Sequence, residues 1–146
     1  MPTLFRVCLL RADAVPNWQP LLKLSEEILA VPIRELALAP ENQLVNARRD
    51  WLTARGAVLC RQGRYADAIT DLNQGASQER HSEQYAARVF LAFSHLRLGQ
   101  EEEARHWMDK ALAPETDSQF SWEALEVELL RPVVADLQKA LGAPNQ

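Results

Sequence analysis

The chain is poor in cysteine, glycine and lysine, and the shortage of cysteine and of basic charge excludes several classes of protein. Its 146 residues include two cysteines, five glycines and three lysines, and the net charge is −4. Cys8 and Cys60 are too few for a secreted disulfide framework and form no CxxC pair. An acidic chain also lacks the basic surface that nucleic acids and anionic membranes attract. We therefore expect a cytoplasmic protein whose partner is a protein or peptide, with no nucleic acid, membrane or cofactor bound.

Long apolar runs and targeting signals are also missing. The opening stretch 1–15 contains apolar residues, but Arg6 interrupts them, and no run approaches the roughly 18 apolar residues of a membrane span. The chain contains no Asn-X-Ser/Thr sequon. The sequence predicts neither a signal peptide nor a transmembrane helix.

Apolar residues recur at helical spacing throughout the chain. Hydrophobic residues make up 47% of it, and strand-like alternation is not sustained anywhere. This amount of apolar surface is enough to form one core without disulfides or metals. We predict a single all-α domain over residues 1–146.

The chain also repeats itself after 36 residues. Under this shift small residues fall on small ones and bends on bends; the matched pairs are Gly56 and Ala92, Arg61 and Arg97, Gly63 and Gly99, Ala68 and Ala104, Leu72 and Met108, and Gly75 and Ala111. A small residue in mid-helix lets a second helix approach closely. A glycine just past a helix end adopts a left-handed φ at little cost. The pattern predicts two copies of an antiparallel helical hairpin, at residues 41–76 and 82–114.

The stretches 51–76 and 89–114 resemble the tetratricopeptide repeat (TPR) family. The strings RQGRYADAI and RLGQEEEA look like the family's inter-helix turn and the start of its second helix. The resemblance implies an α-solenoid that binds proteins and performs no chemistry. One departure is the period, which is 36 here against about 34 in the family. A second is Arg88, which stands where the family usually has an apolar side chain and is expected to weaken packing.

The whole chain resembles, more narrowly, TPR segments near the C-termini of large bacterial Ser/Thr kinases and propeller-containing proteins. The strings that carry this likeness are RVCLLRADAV, LGQEEEARHWMDKA and SWEALEVELLRPVVADL. It implies an alternative role as a structural docking or dimerisation domain of a larger bacterial kinase-like signalling protein, for example as a homodimer.

Residues outside the repeats are predicted to be helical as well. Residues 1–40 should form two helices or a degenerate hairpin, with Asn17 as the N-cap of the second helix. Residues 118–142 should form a capping helix, which Pro132 would kink or divide in two. The face of that helix predicted to pack comprises Trp122, Leu125, Leu129, Val133 and Leu137.

The TPR resemblance also implies a binding surface, because the first helix of each repeat lines the concave face in that family. Carried over residue by residue, this face comprises Asp50, Thr53, Ala57, Cys60 and Arg61 in the first repeat and Ala86, Val89, Phe90, Phe93 and Arg97 in the second. Spacing independently places each set on one helical stripe. Guanidinium groups match carboxylates, so a partner would place an apolar side chain against Phe90 and Phe93 and a carboxylate at Arg61 and Arg97. Alternatively, the N-terminal helices fill this groove, and both phenylalanines belong to the core.

Catalytic and metal sites are not predicted. Cys60 and His95 could form a thiol–imidazole pair, but no orienting acid accompanies them, so a buried thiol beside a packed histidine is expected. The glutamates 101–103 are expected in the first turn of a helix, where the amide dipoles favour negative charge, rather than at a metal ion. His81 and His106 have no second ligand at metal-binding spacing.

Overall fold

The computed structural model of the chain describes residues 16–32, 40–76, 84–113 and 121–142, apart from the side chains of 41, 42 and 121–126. Within these ranges it contains six α-helices and no strand. The helices are α1 (Gln19–Ala30), α2 (Glu41–Arg61), α3 (Tyr65–Gly75), α4 (Tyr85–Arg97), α5 (Glu101–Leu112) and α6 (Ser121–Leu141). The predicted all-α class is confirmed. The predictions for residues 1–15, 33–39 and 77–83 lie outside the described residues.

The two predicted hairpins are α2 with α3 and α4 with α5, and they stack on each other. Each pair packs along its length, α4 packs against both helices of the first hairpin, and α1 and α6 lie outside the two hairpins. The architecture is therefore a TPR-like helical repeat, as the sequence predicts.

Both hairpins bend through the same backbone hydrogen bonds. In each bend the glycine N–H donates to the carbonyl three residues back and the next N–H donates to the carbonyl five residues back; the four bonds are Gly63 N to Cys60 O (3.1 Å), Arg64 N to Leu59 O (2.9 Å), Gly99 N to Leu96 O (3.0 Å) and Gln100 N to His95 O (2.9 Å). The φ angles are +77° at Gly63 and +76° at Gly99, in the left-handed region that favours glycine. The two bends are copies of one structure.

Close approach of α2 and α3 depends on glycine in mid-helix. A Cβ built on Gly56 would lie 2.6 Å from Cγ of Leu72, and one on Gly75 would collide with Oγ1 of Thr53. The matching residues of the second hairpin, Ala92 and Ala111, are both buried, at 0% and 5% exposed. The small residues that the repeat aligned are thus the crossing points of the helices.

Arg88 makes hydrogen bonds at the position where the family usually has an apolar side chain. Its Nη1 donates to the carbonyl of Lys110 at 3.1 Å, and its Nη2 donates to Oε1 of Gln84 at 2.8 Å. The first bond satisfies a carbonyl in the last turn of α5, where a cation is also favoured by the helix dipole. One hydrogen bond thus joins the start of α4 to the end of α5, and the expected weakening of the packing stays a prediction.

The helix α1 lies antiparallel to α2 and presents Leu22, Ser25 and Leu29 as its buried residues. Gln62 Nε2 donates to Gln19 Oε1 at 2.8 Å at one end, and Arg48 Nη1 donates to the Leu29 carbonyl at 2.9 Å at the other. The prediction of Asn17 as the N-cap is wrong, because the N-cap of this helix is Trp18; Asn17 lies one residue earlier, and its Oδ1 accepts a bond from Gln19 N at 3.0 Å.

The helix α6 is continuous through Pro132, so the prediction of two shorter helices is wrong. Pro132 is exposed, and the carbonyl that loses its helical donor there can be solvated. Its buried residues are Leu130, Leu137 and Leu141, whereas Leu129 and Val133 are only half-buried. Leu129 and Val133 nevertheless pack against the core, so three residues of the predicted stripe face it, while the side chains of Trp122 and Leu125 lie outside the described residues. The helix α6 packs chiefly against α4 and only slightly against α5.

Candidate partner-binding surface

The helix α4 carries half of the predicted binding residues and is the most enclosed helix described. It packs against α2, α3, α5 and α6. Eight of its residues are buried: Tyr85, Ala87, Val89, Phe90, Leu91, Ala92, Ser94 and His95. A helix with neighbours on so many sides can offer a partner only a narrow strip, near its C-terminal end.

The structure divides the predicted concave face into a buried part and an accessible part. Ala57, Val89 and Phe90 are 2%, 0% and 2% exposed, and they lie in the core. Phe90 is therefore a core residue, as the alternative prediction stated. Among the described helices, however, α1 packs against α2, and α6 packs against α4. In contrast, Phe93 is half-buried and Arg97 is exposed.

The remaining residues of the predicted stripe are scattered. Asp50, Thr53 and Ala86 are half-buried, and Thr53 faces α3 beside Gly75. Thr53 therefore belongs to the contact within the first hairpin. Among the part of the chain that the structure describes, Phe93 and Arg97 are the predicted residues brought together at an accessible place, while Arg61 is half-buried and lies over Phe90.

Tyr65, which the sequence reasoning missed, completes this surface. Its ring meets that of Phe93 edge-on, with centroids 6.0 Å apart and an interplanar angle of 67°. Its hydroxyl accepts a hydrogen bond from Nε of Arg97 at 3.2 Å, and the Arg97 guanidinium carbon lies 5.7 Å from its ring centroid. No repeat signal marks Tyr65, because the residue 36 positions later is Glu101.

Arg61 lies at the matching end of α2. Its guanidinium carbon is 5.3 Å from the ring centroid of Phe90, at cation–π distance. Burial lowers the pKa of Arg61, but an arginine starts so far above neutral pH that it stays charged. We call the group of Arg61, Tyr65, Phe93 and Arg97 the aromatic–arginine surface.

The charge of this surface is positive. A third arginine nearby, Arg64, forms an ion pair with Asp67 at 2.7 Å, so its charge is compensated. Arg97 donates to the neutral hydroxyl of Tyr65, a contact that leaves its positive charge uncompensated. It can bind an anionic group beside an apolar one.

Cys60 lies beneath this region but does not pair with His95. Its Sγ is 2.8 Å from Oγ of Ser94, within hydrogen-bonding distance, and burial raises the pKa of the thiol to about 11. His95 Nδ1 lies 2.6 Å from Oε1 of Gln100 instead. A thiol with this pKa is protonated at neutral pH, which is unfavourable for a nucleophile.

Two clefts are lined by residues other than those of the aromatic–arginine surface. One of about 420 Å³ is lined by Val45, Arg48, Arg49, Leu52, Asn73 and Gln74. The other, of about 310 Å³, is lined by Leu22, Glu26, Arg55, Leu59, Arg64, Asp67, Thr70 and Asp71. In the second cleft, Arg55 binds Asp71 through two hydrogen bonds of 2.6 and 2.7 Å. These two charged side chains therefore pair with each other and join α2 to α3. No cluster of three metal-ligating side chains is found among the described residues.

Comparison with known families agrees with this architecture. The fold and the paired bends define a helical-repeat protein, and the tetratricopeptide repeat family model matches residues 59–127, just under half of the chain. This match supports the TPR family predicted from the sequence. Searches of curated proteins and of solved structures found no significant match. The narrower likeness to kinase-linked segments stays a prediction.

TPR domains generally mediate protein–protein interactions and are typically non-catalytic. None of the helices described is long and apolar enough to cross a membrane.

Proposed function

We propose that this chain is a non-enzymatic adaptor that binds a segment of a protein partner on the aromatic–arginine surface. The observation that supports the proposal is the accessible cluster of the Arg97 guanidinium with the rings of Tyr65 and Phe93 at the bend end of the stacked hairpins. Aromatic and arginine side chains are enriched among residues that dominate binding energy at interfaces. With a net charge of −4 we expect a cytoplasmic protein partner rather than nucleic acid or membrane.

Apolar contact would supply most of the affinity. Phe93 is half-buried in the free chain, so a partner side chain could remove its remaining surface from water. Fully burying such a side chain is worth about 1.5–3 kcal/mol. Arg61 and Arg97 would then orient the partner through a carboxylate, because charge-assisted bonds to a guanidinium fork are directional.

The proposal predicts that capture of a partner depends on Arg97. Wild-type protein immobilised in a lysate of the source cells should retain a partner that the Arg97→Glu, Phe93→Ala variant loses. Arg105→Glu is the matched control, since it reverses an exposed arginine on α5 outside the surface. Equal capture by the wild-type and the Arg97→Glu, Phe93→Ala proteins, both folded by circular dichroism, would contradict the proposal.

A second candidate function is a docking or dimerisation domain of a larger signalling protein. The observation that favours it is a set of large apolar side chains exposed outside the proposed surface: Leu24 (42%), Leu112 (46%) and Val127 (39%). Light scattering over a range of concentrations should then show a mass that rises toward a dimer, and Val127→Glu should reduce it. A monomer mass that is independent of concentration would count against this role.

A further inference from the structure

We infer that Tyr65 is a positioning residue that directs Arg97 to bind a partner carboxylate end-on, through the two terminal nitrogens of its guanidinium. The inference rests on the proposed function and names the chemistry that its surface would recognise. The partner segment would carry an aspartate or glutamate next to an apolar side chain.

The first step concerns the hydrogen bonds of Arg97. A guanidinium can meet a carboxylate side-on, through Nε and one terminal nitrogen, or end-on, through both terminal nitrogens. The hydroxyl of Tyr65 accepts the Nε bond at 3.2 Å and so occupies the side-on edge. Among the contacts of the described residues this is the hydrogen bond that Arg97 makes, which leaves its terminal nitrogens for a partner.

The second step concerns the order of the side chain. An exposed arginine normally samples many rotamers, and fixing one of them on binding costs affinity. Here the guanidinium also lies over the ring of Tyr65, 5.7 Å from its centroid. That ring is held in turn by its edge-on contact with Phe93, which packs against the core. Arg97 is therefore ordered before a partner arrives.

The third step concerns the neighbours that select the partner. Phe93 lies one helical turn before Arg97 on α4, and its half-buried ring offers an apolar surface on the same side of the helix. Arg64 forms an ion pair with Asp67, whereas Arg97 donates to the neutral hydroxyl of Tyr65 and keeps its positive charge for a partner. This arrangement is complementary to an acidic residue that follows or precedes an apolar one.

The arrangement occurs once in the described chain. In the second repeat Glu101 stands at the position of Tyr65, and 36 residues before Tyr65 stands the buried Leu29. Arg61 accordingly lies over Phe90 rather than over a tyrosine. Tyr65 therefore distinguishes Arg97 from its repeat counterpart.

A peptide selection on the full chain tests the inference. A phage library of random peptides is panned against the wild-type protein, and the best peptide is synthesised with its acidic residue intact and with that residue changed to the amide. We expect enriched peptides to pair Asp or Glu with an apolar residue, and the wild type to prefer the carboxylate form by about tenfold. Tyr65→Phe, which keeps the ring and loses the hydroxyl, should cut this preference several-fold without changing the melting temperature.

Two further variants keep the test decisive. Arg97→Lys retains the charge without the guanidinium fork and should lower the preference as much as Tyr65→Phe does, whereas Arg105→Lys should leave it unchanged. If Tyr65→Phe unfolds, the comparison of these two lysine variants carries the result. An unchanged preference in the Tyr65→Phe protein, or in Arg97→Lys where that variant carries the result, would overturn the inference.

The outcomes also separate the inference from the proposed function. Enriched peptides that lack an acidic residue but lose binding to Phe93→Ala would overturn the inference and leave the binding surface standing. Peptides that bind Phe93→Ala and Arg97→Lys as well as they bind the wild type would overturn both, and so would a selection that enriches none.

Discussion

At the scale of single residues, an ion pair with a buried carboxylate joins α2 to α3 within the first hairpin. Asp71 is 5% exposed, and Arg55 binds both of its carboxylate oxygens. This hydrogen bonding raises the pKa of Arg55 further above its usual value. A buried carboxylate that loses such a partner keeps the cost of its desolvation.

Replacing Arg55 by alanine should therefore destabilise the fold by about 2–3 kcal/mol, measured by urea unfolding. Arg64→Ala is the matched control, because it breaks the exposed pair with Asp67 and should cost less than about 1 kcal/mol. Similar losses for the two variants would show that burial of Asp71 adds nothing to the energy of its ion pair.

Cys60 makes the free energy of unfolding depend on pH in the alkaline range. Burial raises its pKa from 9.0 to about 11, so between these values the folded chain keeps a proton that the unfolded chain has released. The stabilisation is complete below pH 9 and is lost as the pH rises toward 11, by about 2–3 kcal/mol in total. Unfolding measured across this range should show the loss in the wild type and a smaller loss in Cys60→Ala. Parallel curves for the two proteins would be the contrary result.

At the scale of elements, the two bends should respond alike to substitution. Both glycines have the same φ to within 1°, and a Cβ at either would meet no atom within 4 Å. Only backbone strain then opposes a side chain, and left-handed φ costs about 1–2 kcal/mol in a residue other than glycine. Gly63→Ala and Gly99→Ala should each destabilise the chain by about that amount in thermal or urea unfolding.

A crowded glycine provides the contrast. Gly56→Ala should cost about 1–3 kcal/mol by overpacking against Leu72, even though alanine is the better helix former. In the double variant Gly56→Ala, Leu72→Ala, the loss of unfolding free energy should be smaller than the sum of the two single losses. The reason is that alanine at position 72 leaves room for the new Cβ at position 56. For the bend glycines, strongly different losses of unfolding free energy in Gly63→Ala and Gly99→Ala would show that the two bends are not equivalent.

At the scale of the whole molecule, the sequence was most informative where one residue type has one physical role. The bend glycines and the small residues at helix crossings follow from local conformation and close approach, so their repeat could be read directly. Arg61 and Arg97 were found in the same way, because they recur at the repeat distance.

Contacts between elements were harder to predict. Tyr65 meets Phe93 and Arg97 only when α3 stacks on α4, and no periodic pattern encodes that contact. The burial of Phe90 likewise depends on how completely its neighbours enclose α4, and the packed face of α6 depends on which helix it lies against. The family pattern placed Phe90 on the groove and has an apolar side chain at the position of Arg88. In the structure, Phe90 lies in the core and Arg88 donates a hydrogen bond to the carbonyl of Lys110.

The central claim is that a partner binds at the aromatic–arginine surface, and site-specific photo-crosslinking tests it most directly. Leu98 adjoins Arg97 and is 43% exposed, while Leu112 is 46% exposed at the far end of α5, roughly 17 Å along a helix of this length. A photoreactive phenylalanine analogue at Leu98 should crosslink the partner, and the same analogue at Leu112 should not. Crosslinking from Leu112 alone, or equally from both positions, would contradict the account.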